Sequence, residues 1–150
     1  MKLVVQKVQS SSVTIDKKIN GQIEQGFMVL VGFTHTDDKL IVDKMIDKLI
    51  HLRIFMDEND KMNLSLLDVG GSILSISQFT LYANCKKGRR PSFIDAAKPD
   101  LASPLYDYFN EKIKMLGIKV DTGIFCADMK VSLINDGPIT IILDSEEIFG

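Results

Sequence analysis

Three groups of residues carry polar chemistry where the surrounding pattern leads one to expect packing or a plain turn. The first is Ser77, Gln78 and Thr80, within Ser77-Gln78-Phe79-Thr80 in the middle of a mainly apolar stretch, Ser72–Tyr82. Buried polar groups need partners, so these side chains either bond to neighbouring backbone or form a site. The second is Asn135-Asp136-Gly137-Pro138. Its residue types suit an ordinary turn, but an X-Pro bond has a reduced trans preference and glycine admits close approach of backbone to a ligand. The third is Lys86, Lys87, Arg89 and Arg90, four cations in five residues just after the polar stretch. They read either as a solvated loop or as a phosphate-contacting one, and the second reading carries a salt-dependent affinity for polyanions.

The usual catalytic engines are absent. His35 and His51 are the two histidines, and neither lies near a carboxylate or cysteine in a recognisable pattern. There is no HExxH and no Walker loop. Cys85 and Cys126 are too few and too far apart for a zinc set or a disulfide framework. Thr80 has a hydroxyl without a visible base, and a threonine nucleophile needs one. It either attacks or orients a substrate group or water. Backbone N–H groups of Gln78–Thr80 are candidates for binding a developing oxyanion.

These residues need a scaffold. The chain has 150 residues, which fits one domain, spanning 1–150, with a sizeable core. The formal net charge is −2, so there is no global nucleic-acid signature and any RNA contact is local. No signal-peptide pattern opens the chain and no apolar run approaches a membrane span. The expectation is a cytoplasmic protein.

Ser72–Tyr82 reads as a central strand covered on both faces, with Leu74, Ile76, Gln78, Thr80 and Tyr82 on one side. Before it, strands are expected at Leu3–Gln9, Val13–Ile15, Gln22–Glu24, Phe27–Phe33 and Leu52–Phe55. A tight turn is expected at Asn20-Gly21 within Asp16–Gly21. A helix runs from a cap at Thr36 or Asp37 to about Ile50. Asp57–Lys61 is a polar turn, and Met62–Leu67 leads to the central strand. After it come the Cys85–Phe93 loop and a helix ending near Met115 with Gly117 as cap. That helix starts best at Pro104 with Ser103 as N-cap, or earlier at Pro99. Strands at Lys119–Phe125, Met129–Asn135 and Ile139–Leu143 follow, the last two separated by a turn at Asn135–Pro138. The tail from Asp144 is peripheral. This order gives an α+β fold with a largely antiparallel, curved, barrel-like sheet and two main helices.

Ser77-Gln78-Phe79-Thr80 followed by Asn135-Asp136-Gly137-Pro138-Ile139-Thr140 resembles the D-aminoacyl-tRNA deacylase family. The likeness extends to Arg53-Ile54-Phe55, Lys61-Met62-Asn63-Leu64, Arg90-Pro91-Ser92-Phe93, Leu105-Tyr106-Asp107-Tyr108-Phe109 and Ala127-Asp128-Met129. The resemblance implies a homodimer that hydrolyses the ester joining a D-amino acid to the terminal adenosine of tRNA, with no metal or organic cofactor. Its partners are then aminoacyl-tRNA, through the 3′ end, and a second copy, with neither membrane nor DNA. Ser77–Thr80 would floor the active site. Gly137-Pro138, following Asn135, would be cis and enter the partner subunit's pocket, where its carbonyls exclude an L side chain. Glycine would also pass, so glycyl-tRNA mischarged on tRNA-Ala is an expected second substrate. Phe125 and Met129 would line the adenosine pocket, and the loop at Lys86, Lys87, Arg89 and Arg90 would meet tRNA. Two mechanisms fit: attack by Thr80, or assistance from the substrate 2′-hydroxyl. The second is preferred because nothing is placed to activate Thr80. Two positions depart from the family. Lys7 stands where arginine is usual, and Cys126 stands where glycine or alanine is expected.

Overall fold

In the computed structural model, which describes residues 1–150, the sheet is built on one long strand. Strand β1 (Lys2–Ile15) runs unbroken through both segments expected as separate strands. β2 (Lys18–Ile23) and β3 (Gly26–Gly32) pair with its second and first halves, both antiparallel. β8 (Lys130–Asp144) pairs antiparallel along nearly its whole length on the other side. β3 continues, in parallel, to β6 (Ser72–Ser77), and β6 to β7 (Val120–Thr122). The sheet is therefore mixed, and it curls into a nearly closed barrel with helices outside. A separate hairpin, β4 (Phe55–Met56) with β5 (Met62–Leu64), flanks the expected polar turn. Leu52–Ile54 adds no strand of its own.

Two helices cover one face: α1 (Lys39–Ile50) and α3 (Pro99–Met115). Their apolar stripes, Val42, Met45, Ile46 and Leu49 with Leu105, Phe109 and Ile113, pack on Leu3, Val5, Phe27, Val29 and Ile73. Leu74 and Ile76 point the other way, into a smaller cluster with Val8, Val13, Ile23 and Met28. β6 is thus covered on both faces, as its composition predicts. Two short helices, α2 (Leu66–Val69) and α4 (Ser145–Phe149), complete the fold. No helix is long and apolar enough to cross a membrane.

Several local expectations yield to tertiary contacts. The β1–β2 reversal uses Asp16 and Lys17, both at positive φ (49° and 64°), not Asn20-Gly21. Gly21 is needed elsewhere: a Cβ there would lie 3.0 Å from Asp121 Cβ and 3.1 Å from the Thr122 carbonyl. Asn20 is the extra residue at a register shift, and its amide donates to Thr122 O at 2.7 Å. The cap of α1 is Asp38, which accepts from the Ile41 N–H at 2.9 Å. Asp37 is occupied by the Met1 ammonium at 2.7 Å and the Thr34 N–H at 2.8 Å. α3 begins at Pro99, so Pro104 lies inside it, and Gly117 ends it at φ 83°. The tail is docked, not peripheral: Ser145 is buried and its Oγ accepts from the Met1 ammonium at 2.8 Å.

Two corrections shape the candidate site. β6 stops at Ser77, and Phe79–Tyr82 forms a 3-10 turn, so Gln78, Thr80 and Tyr82 do not continue one strand face. The chain can fold over there because β3 ends in Gly32, where a Cβ would come within 3.0 Å of the Gln78 carbonyl and of Leu81 Cβ. Asn135–Pro138 does not reverse the chain. Gln6 pairs with Thr140 and Val8 with Asn135, so Asp136–Ile139 bulges out opposite Lys7 alone within one continuous strand. The Gly137–Pro138 bond in this bulge is cis.

Candidate active site

The 3-10 turn is pinned at its start by the Gln78 N–H, which donates to Val31 O at 2.8 Å. That donor is spent, which removes it from the expected oxyanion set. The first internal bond of the turn is made by the Leu81 N–H to Gln78 O. The N–H groups of Phe79 and Thr80 lie ahead of it, at the positions a helical turn leaves without an internal partner. The Gln78 side-chain amide donates to Thr80 Oγ1. The two polar residues thus satisfy one another, and the hydroxyl proton of Thr80 remains free to donate.

Beside this turn is an open cavity of about 260 Å³. Ile76, Ser77, Gln78 and Phe79 form one wall; Phe125, Cys126, Ala127, Met129 and Val131 form the other. Seven of these nine residues are hydrophobic, and Ser77 and Gln78 are the two polar ones, so the cavity offers mainly apolar walls with a few polar groups, as ligand sites do. A larger cavity, about 380 Å³ between Ser10–Ser12, Gln22–Glu24 and Ser132–Ile134, contains none of the candidate residues.

The second wall is held from behind. A Cβ at Gly123 would lie 2.3 Å from Met129 Sδ, so glycine there is what lets Met129 take its place. The Tyr106 ring sits 6.1 Å from that of Phe125, and its hydroxyl donates to Ser75 O at 2.8 Å. Burial pushes the Tyr106 phenol up, keeping it a neutral donor. Cys126 has φ 64°, a left-handed conformation that glycine adopts freely and other residues rarely. That accounts physically for the expectation of a small residue there.

Ser77, Gln78, Phe79, Phe125 and Met129 are therefore brought together, with Thr80 bonded to their edge. Asn135, Gly137 and Pro138 do not line the cavity within one chain; Gly137 and Pro138 are exposed on the β8 bulge and Asn135 is exposed just before it. Behind the bulge Lys7 is buried, with Nζ 3.7 Å from Asp136 Oδ2 and 5.4 Å from the Phe55 ring centroid. Lys86, Lys87, Arg89 and Arg90 are exposed and form no salt bridge. Their loop is closed by reciprocal Asn84–Ser92 backbone bonds of 2.7 and 2.9 Å. No cluster of three or more His, Cys, Asp or Glu side chains is placed to hold a metal ion.

A family profile described as D-Tyr-tRNA(Tyr) deacylase matches residues 4–144. The chain belongs to that family. Among its relatives, a protein named D-aminoacyl-tRNA deacylase from Clostridioides difficile (strain 630) is 58% identical over 149 residues, covering 99% of this chain and 100% of the relative. One of the same name from Thermus aquaticus is 52% identical over 147 residues, covering 98% and 97%. The solved structure of a c-Myc DNA Unwinding Element Binding Protein superposes with a TM-score of 0.90 at 36% identity, covering 96% of this chain and 98% of that one. A probable eukaryotic D-amino acid tRNA deacylase gives 0.82 at 18% identity, covering 95% and 97%, a likeness of fold.

Sequence reasoning named residues of both cavity walls but missed what supports them. Gly123 and Tyr106 are the main omissions. Gly123 carries no local signal because its neighbour in space, Met129, lies further along the chain. Tyr106 reads as one more residue of a helix stripe.

Proposed function

We propose that the chain is a D-aminoacyl-tRNA deacylase, an ester hydrolase that releases the D-amino acid from the 3′ end of tRNA. One observation carries the reading: in a chain of this family, the Ser77–Thr80 turn opens onto an apolar cavity faced by Phe125 and Met129. The cavity receives the terminal adenosine, and the ester carbonyl lies over the turn. The N–H groups of Phe79 and Thr80 then bind the oxygen that gains charge as water adds to the carbonyl carbon. The bond to the ribose oxygen breaks and that oxygen takes a proton.

Gln78 is the only side chain bonded to the Thr80 hydroxyl, and an amide is no base. Thr80 therefore orients and donates, and the neighbouring 2′-hydroxyl of the substrate assists. The protein's share is positioning, which lowers such barriers by roughly 7–11 kcal/mol.

Chirality is read by a second copy of the chain. The Asp136–Ile139 bulge projects from β8, whose only strand partner is β1. Its outer face exposes Ile134 (55%) and Ile142 (70%). A free edge with apolar residues invites pairing, and a two-fold dimer would carry Gly137-Pro138 of each copy toward the other's cavity. There the backbone carbonyls leave no room for an L side chain, while a D side chain points outward and glycine enters freely. Lys7 steadies the bulge through Asp136. Such an enzyme works in the cytoplasm, where aminoacyl-tRNA is.

Parallel assays of D-tyrosyl-tRNA and a simple aryl ester test the RNA-assisted mechanism. Fast turnover of the first and negligible turnover of the second is expected; comparable rates would make the chain a general esterase. Sedimentation should give a dimer at assay concentration, and a monomer would refute the shared site.

A further inference from the structure

Phe79 and Phe93 are 53% and 39% exposed, although large aromatic side chains are usually well covered. Their rings meet edge to face, 5.1 Å between centroids at 72°. Phe79 also lines the cavity, so it stands at the cavity rim with one side turned outward. Phe93 directly follows the closed loop that carries Lys86, Lys87, Arg89 and Arg90. From cavity to loop the surface thus passes from apolar wall to exposed aromatic pair to unpaired cations.

We propose that Phe79 and Phe93 form a stacking platform for the base that precedes the terminal adenosine, with the loop cations neutralising the phosphates on either side of it. This rests on the placement of the terminal adenosine in the cavity given above. A flat aromatic surface beside a cationic track is the combination by which single-stranded nucleic acid is held without regard to base identity. Phosphate contacts from the loop would set the register of the strand, and stacking would hold the penultimate base. The charge pattern favours RNA over a second copy as the occupant. A two-fold contact centred on this patch would set the loop against its own copy, cation facing cation, with no carboxylate paired to any of the four. The ring of Phe93 is thereby a binding group in its own right and not a buttress for Phe79 alone.

The test is a two-by-two binding experiment. RNA hairpins with an uncharged acceptor end, complete or with an abasic nucleotide immediately before the terminal adenosine, are titrated by fluorescence anisotropy at fixed salt. The proteins are the full chain and Phe93→Leu, which keeps apolar bulk and removes the ring. Removing the base should weaken binding to the full chain by about tenfold, within the range of one base–aromatic stack. Phe93→Leu should weaken binding of the complete hairpin similarly, and the abasic hairpin should bind both proteins alike. Independent, multiplying losses would overturn the proposal, as would no loss on removing the base. Sedimentation of Phe93→Leu as monomer, where the full chain is dimer, would assign the patch to a subunit contact and overturn it too. Base-dependent binding without hydrolysis of any aminoacyl ester would keep the platform and refute the deacylase reading instead.

Discussion

Thr80→Ala separates the two roles open to this hydroxyl. In the structure Thr80 Oγ1 has one protein partner, the Gln78 amide, and the proposed mechanism adds one bond from its proton to the substrate. Each neutral hydrogen bond contributes about 0.5–1.5 kcal/mol net. The Gln78 bond is present in free enzyme and transition state alike, so only the lost bond to substrate slows the reaction, by about 0.5–1.5 kcal/mol or roughly 2- to 13-fold. The Gln78 side chain is only part-buried, so water can satisfy its freed amide. Removing a covalent nucleophile is a different scale, on the order of 10⁶ in kcat for a serine hydrolase. The assay is single-turnover hydrolysis of D-tyrosyl-tRNA with enzyme in excess, beside the Kd for uncharged tRNA. Thr80→Ala should retain activity within about 13-fold, and Thr80→Ser should restore most of it. A loss of about 10⁴ or more with unchanged Kd would refute the orienting role and make Thr80 the nucleophile.

Gly137→Ala places a Cβ 2.8 Å from Ile139 Cγ1 at φ 131°, a conformation that costs an L residue about 1–3 kcal/mol. The bulge should change shape, so hydrolysis of D-tyrosyl-tRNA should fall and the preference over the L ester should narrow; an unchanged preference would remove Gly137 from chiral selection. Replacing Lys86, Lys87, Arg89 and Arg90 with alanine should lower the salt slope of tRNA binding by about 0.7 for each phosphate that is no longer neutralised. An unchanged slope would return the loop to a solvated role. Asp68 closes a capping box with Ser65 on α2. The Ser65 N–H, then its hydroxyl, and more weakly Arg53 and His51, hold its carboxyl below the ordinary range. A depressed folded pKa means the contribution is full above the unfolded value of 3.8 and is lost as pH falls through the folded value. Asp68→Asn should therefore lower Tm at neutral pH, and the difference should shrink in acid; a gap that widens in acid would contradict the assignment.

The parts of the fold that local pattern fixes were legible. The alternation of apolar residues in β6 places Ile73 against the helices and Leu74 and Ile76 in the second cluster, and α1 and α3 follow their apolar stripes. What failed was decided by distant partners. Asn20-Gly21 is a good turn dipeptide, yet Gly21 is required where β7 passes close, so the turn moves to Asp16-Lys17. Asp37 is a good cap, yet the Met1 ammonium claims it and Asp38 takes over. The strand expected to run through Tyr82 bends after Ser77 because Gly32, at the end of a strand far earlier in the chain, leaves room for the turn. The candidate site divides in the same way. Its polar residues stood out as misplaced in an apolar strand. The supports, Gly123 under Met129 and Tyr106 behind Phe125, are ordinary residues whose role exists only in three dimensions. The bulge opposite Lys7 needs the β1–β8 register, which no local motif encodes.

The most direct test of the chiral deacylase reading compares hydrolysis of D-tyrosyl-tRNA and L-tyrosyl-tRNA by the purified protein without added metal. Rapid loss of the D ester with the L ester intact is the expected result: under the proposed reading the cavity would accept the adenosine of both, and the partner's bulge would exclude one hand. Loss of both at similar rates would leave a hydrolase and contradict the chiral role of Gly137-Pro138. Loss of neither would contradict the deacylase reading at its centre.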